Sequence, residues 1–354
     1  MAVTTFPLVA AGWRAAVGFA QEQVYGLAPF GTGTGTATVA YTWVGAVQEM
    51  KGTVDKNPIF VYRMDGSTSY PAYILKGQRN VEFTITYWPQ NIGGGTATGS
   101  DSTTGILWDM INAVNGTSGA SLSPPVTGIS HAFIIKDFDT GAVWTVTGAI
   151  ANTVTVSGKT GAALEVKVDY WCQNIMQTLP AYVSFPTDPG NVPFFFSQEA
   201  VQIPTGTVQP QALTFTGTIT NNLFRVPQFG TDVIRSIPTL TRKAEGDMTA
   251  TFASMTDSTL EGNIPPTAEA NAGTSPYTTT YTDPDNTLSG LAYQTIRIIL
   301  GKEGLPSATS GTFCYMDWTG AVLPKIDLTV PIADRVALDL PWYATGASVH
   351  VLTP

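Results

Sequence analysis

The stretch VWTVTGAIANTVTVSGKTGAALEVKVDY, residues 143–170, decides the fold, because its pattern returns 172 positions later in MDWTGAVLPKIDLTVPIADRVALDLPW, residues 316–342. The alignment needs no gap, and apolar residues meet apolar residues at alternate positions on both sides of a turn. Two copies of one β-hairpin would preserve this pattern. The aligned segments include Thr147–Ile150 on Thr319–Val322 and Tyr170–Trp171 on Trp342–Tyr343.

Two further matches lie upstream in each half of the chain. Tyr41–Gly45 falls on Leu213–Gly217 at the same offset of 172 positions. Near the start of each half, FAQEQV (Phe19–Val24) matches FSQEAV (Phe196–Val201), five positions out of phase with the other matches. Three matches in the same order predict a tandem duplication of one β-rich unit.

The duplication divides the 354 residues into two domains, each large enough for its own core. We predict a first domain over residues 1–177, a linker over 178–194 and a second domain over 195–354. Four prolines between Pro180 and Pro193 support the linker, because proline stiffens a connector and blocks sheet pairing. The fold class predicted is all-β with a minor helix, arranged as two tandem β-sandwich or barrel domains.

Alternation of apolar and polar residues places the main elements. Val81–Tyr87 is the clearest strand, with Val81, Phe83, Ile85 and Tyr87 on one face. Apolar residues at helical spacing predict one helix over Thr103–Val114. The remaining expectations are strands at Ala40–Gly52, His131–Asp137, Gln211–Thr220 and Asp247–Phe252, a strand or short helix at Leu291–Leu300, projecting arms at Pro58–Leu75 and Leu223–Thr239, and a long loop at Glu261–Asn286.

The charge balance argues against a protein that grips nucleic acid, and the lack of long apolar runs argues against one that crosses a membrane. The formal net charge is −9, made of −2 over residues 1–177 (9 basic, 11 acidic) and −7 over the rest (8 basic, 15 acidic). Binding to phosphates needs an excess of lysine and arginine, so the balance argues against gripping nucleic acid and is compatible with repelling it. No run approaches 18 apolar residues, so the sequence predicts no membrane span.

The residues that usually carry catalysis are few and scattered. Cys172 and Cys314 lie in different halves and are expected to be buried free thiols. His131 and His350 are expected to be packing or surface residues. Asp139-Thr140-Gly141 spells the triplet of aspartic proteases, but no second triplet stands at the equivalent place, so a turn is favoured. The sequence predicts no enzyme, no cofactor and no metal site.

The layout resembles the tail tube proteins of long-tailed viruses, in the variant with two tube units per chain. FAQEQV and FSQEAV, a strand ending at Gly45 or Gly217, an arm, the strands NVEFTITY and DMTATF, and the terminal hairpin carry the resemblance. It implies β-barrel or sandwich units with a flanking helix, six units to a ring and hence a trimer. It further implies stacked rings around a channel for viral DNA, other tail proteins as partners, synthesis in the host cytoplasm and a place in the virion tail.

A strand with one apolar and one polar face can bury the first and line water with the second. Glu49, Glu82 and Asp247 are therefore the candidates to face the lumen of such a tube, where an acidic, threonine-rich lining would let DNA slide without specific binding. The alternative function is a carbohydrate-binding or adhesive surface protein built from two β-sandwich modules. That hypothesis expects exposed tryptophans in a groove, whereas Trp43, Trp144, Trp171, Trp318 and Trp342 fall in predicted strands, where packing is the simpler role.

Overall fold

Every regular element that the structure describes is a β-strand. The computed structural model describes residues 15–22, 24–26, 41–62, 71, 73–89, 130–137, 141–178, 185, 193–195, 199–202, 212–251, 294–301, 312–322, 327–329 and 337–351. The strands are β1 (Ala15–Gln21), β2 (Thr42–Trp43), β3 (Ala46–Asp55), β4 (Ile59–Val61), β5 (Tyr73–Leu75), β6 (Asn80–Trp88), β7 (His131–Asp137), β8 (Val143–Lys159), β9 (Glu165–Cys172), β10 (Asn174–Thr178), β11 (Glu199–Gln202), β12 (Ala212–Thr220), β13 (Val226–Pro227), β14 (Ile234–Ser236), β15 (Lys243–Thr251), β16 (Gln294–Gly301), β17 (Thr312–Ala321), β18 (Asp327–Thr329), β19 (Ala337–Ala344) and β20 (Gly346–Val351).

Strands β1 to β10, the first set, form two layers that share the 17-residue strand β8. The second half of β8 belongs to the order β3-β6-β9-β8, and its first half lies between β7 and β10 in the order β2-β1-β7-β8-β10. Aromatic rings join the layers, because the Phe133 ring centroid lies 5.1 Å from that of Phe83 and 4.9 Å from that of Tyr170. The result is a two-layer sandwich.

Alternation along the strands decides which residues enter this core. The predicted strand at Val81–Tyr87 is confirmed as β6, and its four odd-numbered apolar residues are buried while Glu82 is exposed. Strand β9 alternates in the same way, with Val166, Val168 and Tyr170 buried. Since side chains of a strand point to opposite faces in turn, one face of each strand must be apolar for the sandwich to close.

A bend at Gly148 lets one strand serve both layers. Gly148 has a φ of +62°, and a Cβ there would lie 2.6 Å from Cβ of Gln173, so only glycine fits. The buried carboxylate of Glu22 holds this region together by accepting the backbone N–H groups of Gly148 (2.8 Å) and Gly26 (2.9 Å). Burial raises the pKa of Glu22, and these hydrogen bonds counteract part of that effect.

Strands β11 to β20, the second set, repeat the pairing scheme of the first. Their two layers have the orders β11-β16-β17-β20 and β12-β15-β19-β18, so that β17 and β18 together replace the single strand β8. The register of the repeated hairpin is the same at an offset of 172: Val156 faces Val166 in the first set, and Leu328 faces Leu338 in the second. The predicted repeat of residues 143–170 is therefore confirmed by strand pairing.

The offset is not constant upstream, and two sequence matches prove to be out of register. Met50 faces Ile85 and Phe215 faces Met248, which makes Phe215 the equivalent of Met50 at an offset of 165. The alignment of Tyr41–Gly45 with Leu213–Gly217 is thus wrong by seven residues, because the arm and other connections differ in length between the sets. Gly217 lies inside β12 and does not end a strand.

The FAQEQV and FSQEAV matches also do not occupy equivalent positions. In the first set Val17 pairs with Ile135 and Ile135 with Trp144; in the second, Val201 pairs with Ile298 and Ile298 with Met316. Val201 is therefore the equivalent of Val17 rather than of Val24, again seven residues away. A shift by an odd number of residues places each residue on the opposite face of a strand. The similarity of FAQEQV and FSQEAV therefore does not mean that their residues have equivalent surroundings.

The buried residues of the two sets belong to one continuous hydrophobic core, which the sets fill with different side chains at equivalent positions. Where the first set has Phe83 opposite Tyr170, the second has Gly246 opposite Trp342. The indole of Trp342 occupies the space that Gly246 leaves and lies 5.2 Å from the ring of Trp318. The larger side chain is on a different strand in each set, but the total side-chain volume still fills the layer.

Other predictions have mixed outcomes. The strand at His131–Asp137 is confirmed, and residues 294–301 form a strand and not a helix. The single strand expected at Ala40–Gly52 is wrong, because Gly45, with a φ of +118°, separates β2 from β3. Thr178, the first residue of the predicted linker 178–194, is the last residue of β10. The predicted helix Thr103–Val114 and the loop Glu261–Asn286 lie outside the described residues.

Both predicted arms are hairpins. The first arm, residues 56–79, carries β4 and β5, and the second arm, residues 221–242, carries β13 and β14. Each begins with an asparagine of positive φ, Asn57 at 39° and Asn222 at 40°. The cross-strand partners also correspond: Val61 faces Tyr73, and Val226 faces Ser236. The two arms are therefore the same element in two copies.

Candidate functional site

One long sheet runs through both sets of strands. The second half of β8 pairs with β12 along Thr153–Lys159 and Thr214–Thr220, which joins the sheets into the order β3-β6-β9-β8-β12-β15-β19-β18. At this junction Oγ1 of Thr155 lies 3.2 Å from Oγ1 of Thr218. We call this eight-stranded array the long sheet.

The long sheet has one apolar face, toward the sandwich cores, and one polar face. Directly opposed residues form rows across the polar face, since paired residues of antiparallel strands point to the same side. One row runs Glu49, Thr86, Lys167, Thr155, Thr218, Glu245 and Tyr343.

All three predicted lumen residues lie on this polar face. Glu49 is exposed on β3. Glu82 is half exposed and forms an ion pair with Arg225 at 2.8 Å. Asp247 is exposed on β15, and its pKa is raised, first by partial burial of the carboxyl and second by the neighbouring Asp339. The structure thus places on one face three residues that are far apart in the sequence, with four strands between Glu49 and Asp247.

Sequence reasoning did not identify the other charged residues of the polar face. Acidic side chains outnumber basic ones there, and threonines fill the space between them. The sequence does show these charges, as polar residues that alternate with apolar ones along each strand. Assigning them to one face also requires knowing which strands share a sheet. The charged residues with described side chains are Glu49, Asp55, Glu82, Glu165, Asp169, Glu245, Asp247 and Asp339 against Lys51, Lys159, Lys167 and Lys243.

Each end of the long sheet is an unpaired edge within the described part of the chain. Strand β3, ten residues long, pairs there with β6 alone, and β18 pairs with β19 alone. A long strand with open N–H and C=O groups recruits another strand, and proteins usually cover such edges. The two edges are therefore candidate assembly surfaces.

The second arm packs against the first set of strands, and its contacts show how an arm binds to a sheet. The guanidinium of Arg225 lies over the ring of Trp171, 3.9 Å from its centroid, and binds the carboxylate of Glu82. Leu223, Ile234 and Ile237 of the arm cluster with Ile150, Tyr25 and Trp171. The first arm is different, because its large apolar residues are exposed. These are Ile59, Phe60, Tyr62, Tyr73, Ile74 and Leu75.

The histidine and the cysteine whose side chains the structure describes, His131 and Cys172, are both buried. No group of three or more potential metal ligands occurs among the described residues. His131 is packed near Phe19 and Phe133, and burial lowers its pKa to about 4. Cys172 is buried, and burial raises the pKa of its thiol. Gly141, with a φ of +68°, donates its N–H to the carbonyl of Asp137, and Asp139 lies outside the described residues.

Tryptophan exposure offers little to the carbohydrate-binding alternative. Trp318 and Trp342 are buried in the core, and Trp43, Trp144 and Trp171 are half-buried. Within the described residues, no helix is long and apolar enough to span a membrane.

Two-layer β-sheets with extended arms and uncovered edges are the features of a structural, self-associating protein. The sequence model of the family described as phage tail tube protein matches residues 12–312, and the chain therefore belongs to the phage tail tube protein family. It is thus a structural component of the phage tail. A search of curated proteins found no match.

Proposed function

We propose that this chain contains two fused tube units and assembles into trimeric, pseudo-hexameric rings that stack into the tail tube, with a channel for viral DNA. The first unit ends with β10 at Thr178, the second comprises residues 195–354, and a proline-rich linker over residues 179–194 joins them. The observation that carries the proposal is the β8–β12 junction, where one set of strands extends the sheet of the other.

The junction inside the chain supplies the register for contacts between chains. Strand β18 is the equivalent of the second half of β8, and β3 is the equivalent of β12. Both β18 and β3 end the long sheet. Pairing β18 of one chain with β3 of the next repeats the β8–β12 junction and covers both edges. The facing pair Thr155 and Thr218 then corresponds to Asp327 facing Thr53.

Ring closure follows if the same step is repeated. Six units to a ring, the number that the resemblance to tail tube proteins implies, correspond to three copies of this chain. A closed sheet has no edge left, which explains why a ten-residue strand such as β3 is exposed in the single chain. Stacked rings and contacts with other tail proteins complete the virion tail, after synthesis in the host cytoplasm.

The polar face of the long sheet is assigned to the lumen. The apolar face is covered by the second layer of each sandwich, so the polar face is the one that can line water. Carboxylates at Glu49 and Asp247 repel phosphates, whereas that of Glu82 is paired with Arg225, and lysines on the same face limit the total negative charge. DNA passes such a wall without specific binding.

The test is disulfide crosslinking between chains, combined with electron microscopy. Thr53→Cys together with Asp327→Cys is expected to give covalent trimers on oxidation, because the two positions face each other across the proposed edge. Thr155→Cys with Thr218→Cys is the matched control, since the same geometry lies inside one chain and must give no increase in mass. Thr53→Cys with Thr329→Cys tests the register, because these positions are diagonal.

Three results would overturn the proposal. The first is a wild-type protein that stays monomeric over a range of salt and protein concentrations. The second is a population of rings without a central channel. The third is an oxidised Thr53→Cys and Asp327→Cys protein that crosslinks no better than the diagonal pair.

A further inference from the structure

The exposed apolar face of the first arm corresponds to the packed face of the second arm. At the shared register, Phe60 is the equivalent of Arg225, and Ile74 is the equivalent of Ile237. Ile237 is 2% exposed in the second arm, whereas Ile74 is 64% exposed in the first. The same element is therefore docked in one copy and uncovered in the other.

The other face of both arms is exposed. Phe224, on the outer face of the second arm, remains 51% exposed although that arm is docked. Its equivalent in the first arm is Ile59, which is 54% exposed. Docking of the first arm by analogy with the second would therefore cover Phe60 and Ile74 and leave Ile59 in solvent.

The surface that receives the second arm also has an equivalent. Trp171 faces both Glu82 and Ile150 in the first set, and Tyr343 faces both Glu245 and Val322 in the second. Tyr343 is 51% exposed, so the second receiving surface is open in the single chain. It lies beside the edge where the next chain is proposed to pair.

The charged residues of the two receiving surfaces are consistent with arginine at position 225 of the second arm and phenylalanine at the equivalent position 60 of the first. In the first set Glu82 obtains its cation from the incoming arm, through Arg225. In the second set Glu245 already has a cation on its own strand, because Nζ of Lys243 forms an ion pair with it and lies 5.4 Å from the Tyr343 ring centroid. An arm that docks there needs no positive charge, and it presents an aromatic ring to an aromatic ring.

We propose that the first arm of each chain docks on the second unit of a neighbouring copy, with Phe60 over Tyr343 and Ile74 against Val322. This inference rests on the proposed ring, because the neighbour must be placed as the β18–β3 pairing places it. The partner is a second copy of this chain, and the contact adds to the edge pairing a side-chain interface that fixes orientation.

The experiment compares two faces of one hairpin. Phe60→Asp places a carboxylate in the proposed interface and should weaken ring formation at least tenfold, measured as the concentration of half-assembly by light scattering. Ile59→Asp is the matched control, since its side chain has similar exposure and lies on the outer face; it should change that concentration less than twofold. Circular dichroism of the monomers shows whether both variants fold.

Crosslinking provides the second measurement and separates this inference from the ring itself. Phe60→Cys with Tyr343→Cys should crosslink between chains, and Ile59→Cys with Tyr343→Cys should not. Channel-containing rings that form equally well with Phe60→Asp and Ile59→Asp, and give no Phe60–Tyr343 crosslink, would overturn arm docking while leaving the proposed function intact. If the wild type forms no rings, both proposals fall.

Discussion

Arg297 and Asp317 form a two-pronged ion pair across strands β16 and β17. Nε of Arg297 lies 2.7 Å from Oδ1 of Asp317, and Nη2 lies 2.8 Å from Oδ2. Both side chains are largely buried, at 18% and 9% exposure. In the first set the equivalent pair is Ile134 and Thr145, so one layer contains a charged pair where its counterpart has none.

This difference predicts a non-additive pair of substitutions. Asp317→Thr alone should lower the free energy of unfolding by about 3 kcal/mol, because it leaves the Arg297 guanidinium without its carboxylate. Arg297→Ile with Asp317→Thr, which copies the first set, should restore most of that loss. Urea unfolding of the two variants measures it, and a double variant less stable than the single one would contradict the explanation.

Glycine at position 217 is predicted to be required by the neighbouring indole. A Cβ there would lie 2.1 Å from Cζ2 of Trp318, so Gly217→Ala should destabilise the second set by about 3 kcal/mol or more. Gly52→Ala is the matched control at the equivalent position, where a Cβ meets only Cδ1 of Ile175 at 3.0 Å and the side chain can move. Thermal unfolding should show a clear fall in Tm for the first and a small one for the second; equal shifts would argue against the steric reason.

Acid is predicted to destabilise the first set through His131. Its ordinary pKa is 6.5 and burial lowers it to about 4, so the imidazole is neutral when folded, and stability is fully present above pH 6.5. As the pH falls from 6.5 to 4, the unfolded chain gains a proton that the folded chain does not, and up to about 3 kcal/mol is lost. Among the described residues neither ring nitrogen has a hydrogen-bond partner. His131→Phe should remove this component of the pH dependence in denaturant titrations, and an unchanged pH profile would contradict it.

The Arg225 stack on Trp171 is predicted to hold the second arm. Arg225→Ala should cost about 1–2 kcal/mol, because it removes a cation–π contact and an ion pair whose carboxylate is half exposed. Arg225→Lys should lose less, since it keeps the charge without the planar stack. Hydrogen exchange of the arm backbone reports the effect, and unchanged protection in Arg225→Ala would show that the apolar cluster alone secures the arm.

Charge reversal on the polar face tests its proposed place in the lumen. Glu49→Lys with Asp247→Lys should leave tubes able to form but make them retain DNA at low salt, with retention lost as ionic strength rises. Gln177→Lys, at an exposed position on β10, which belongs to the other layer and not to the long sheet, is the control and should not retain DNA. Equal DNA binding by both variants, with DNA on the outer surface in electron micrographs, would remove the lumen assignment.

The sequence by itself determined the repeated hairpin, the buried face of each strand and the arms, because these depend on local alternation and on turn residues. The strand at Val81–Tyr87 and the repeated hairpin of residues 143–170 needed no knowledge of distant contacts beyond the repeat, whereas its register, with Val156 facing Val166, came from the structure. Glu49, Glu82 and Asp247 could be chosen as polar positions on such strands, although their common face could not be seen.

Only the tertiary structure decided how the two halves join and which residues of one half are equivalent to which residues of the other. The β8–β12 junction depends on pairing between strands that are far apart in the chain. The same holds for the seven-residue error in both upstream matches and for the stacking of Arg225 on Trp171. Pairing register is set by which faces pack together and by the length of the connections, and a repeated motif does not fix either. The sequence therefore defines what each strand buries, and the packed sheets define which strand it meets.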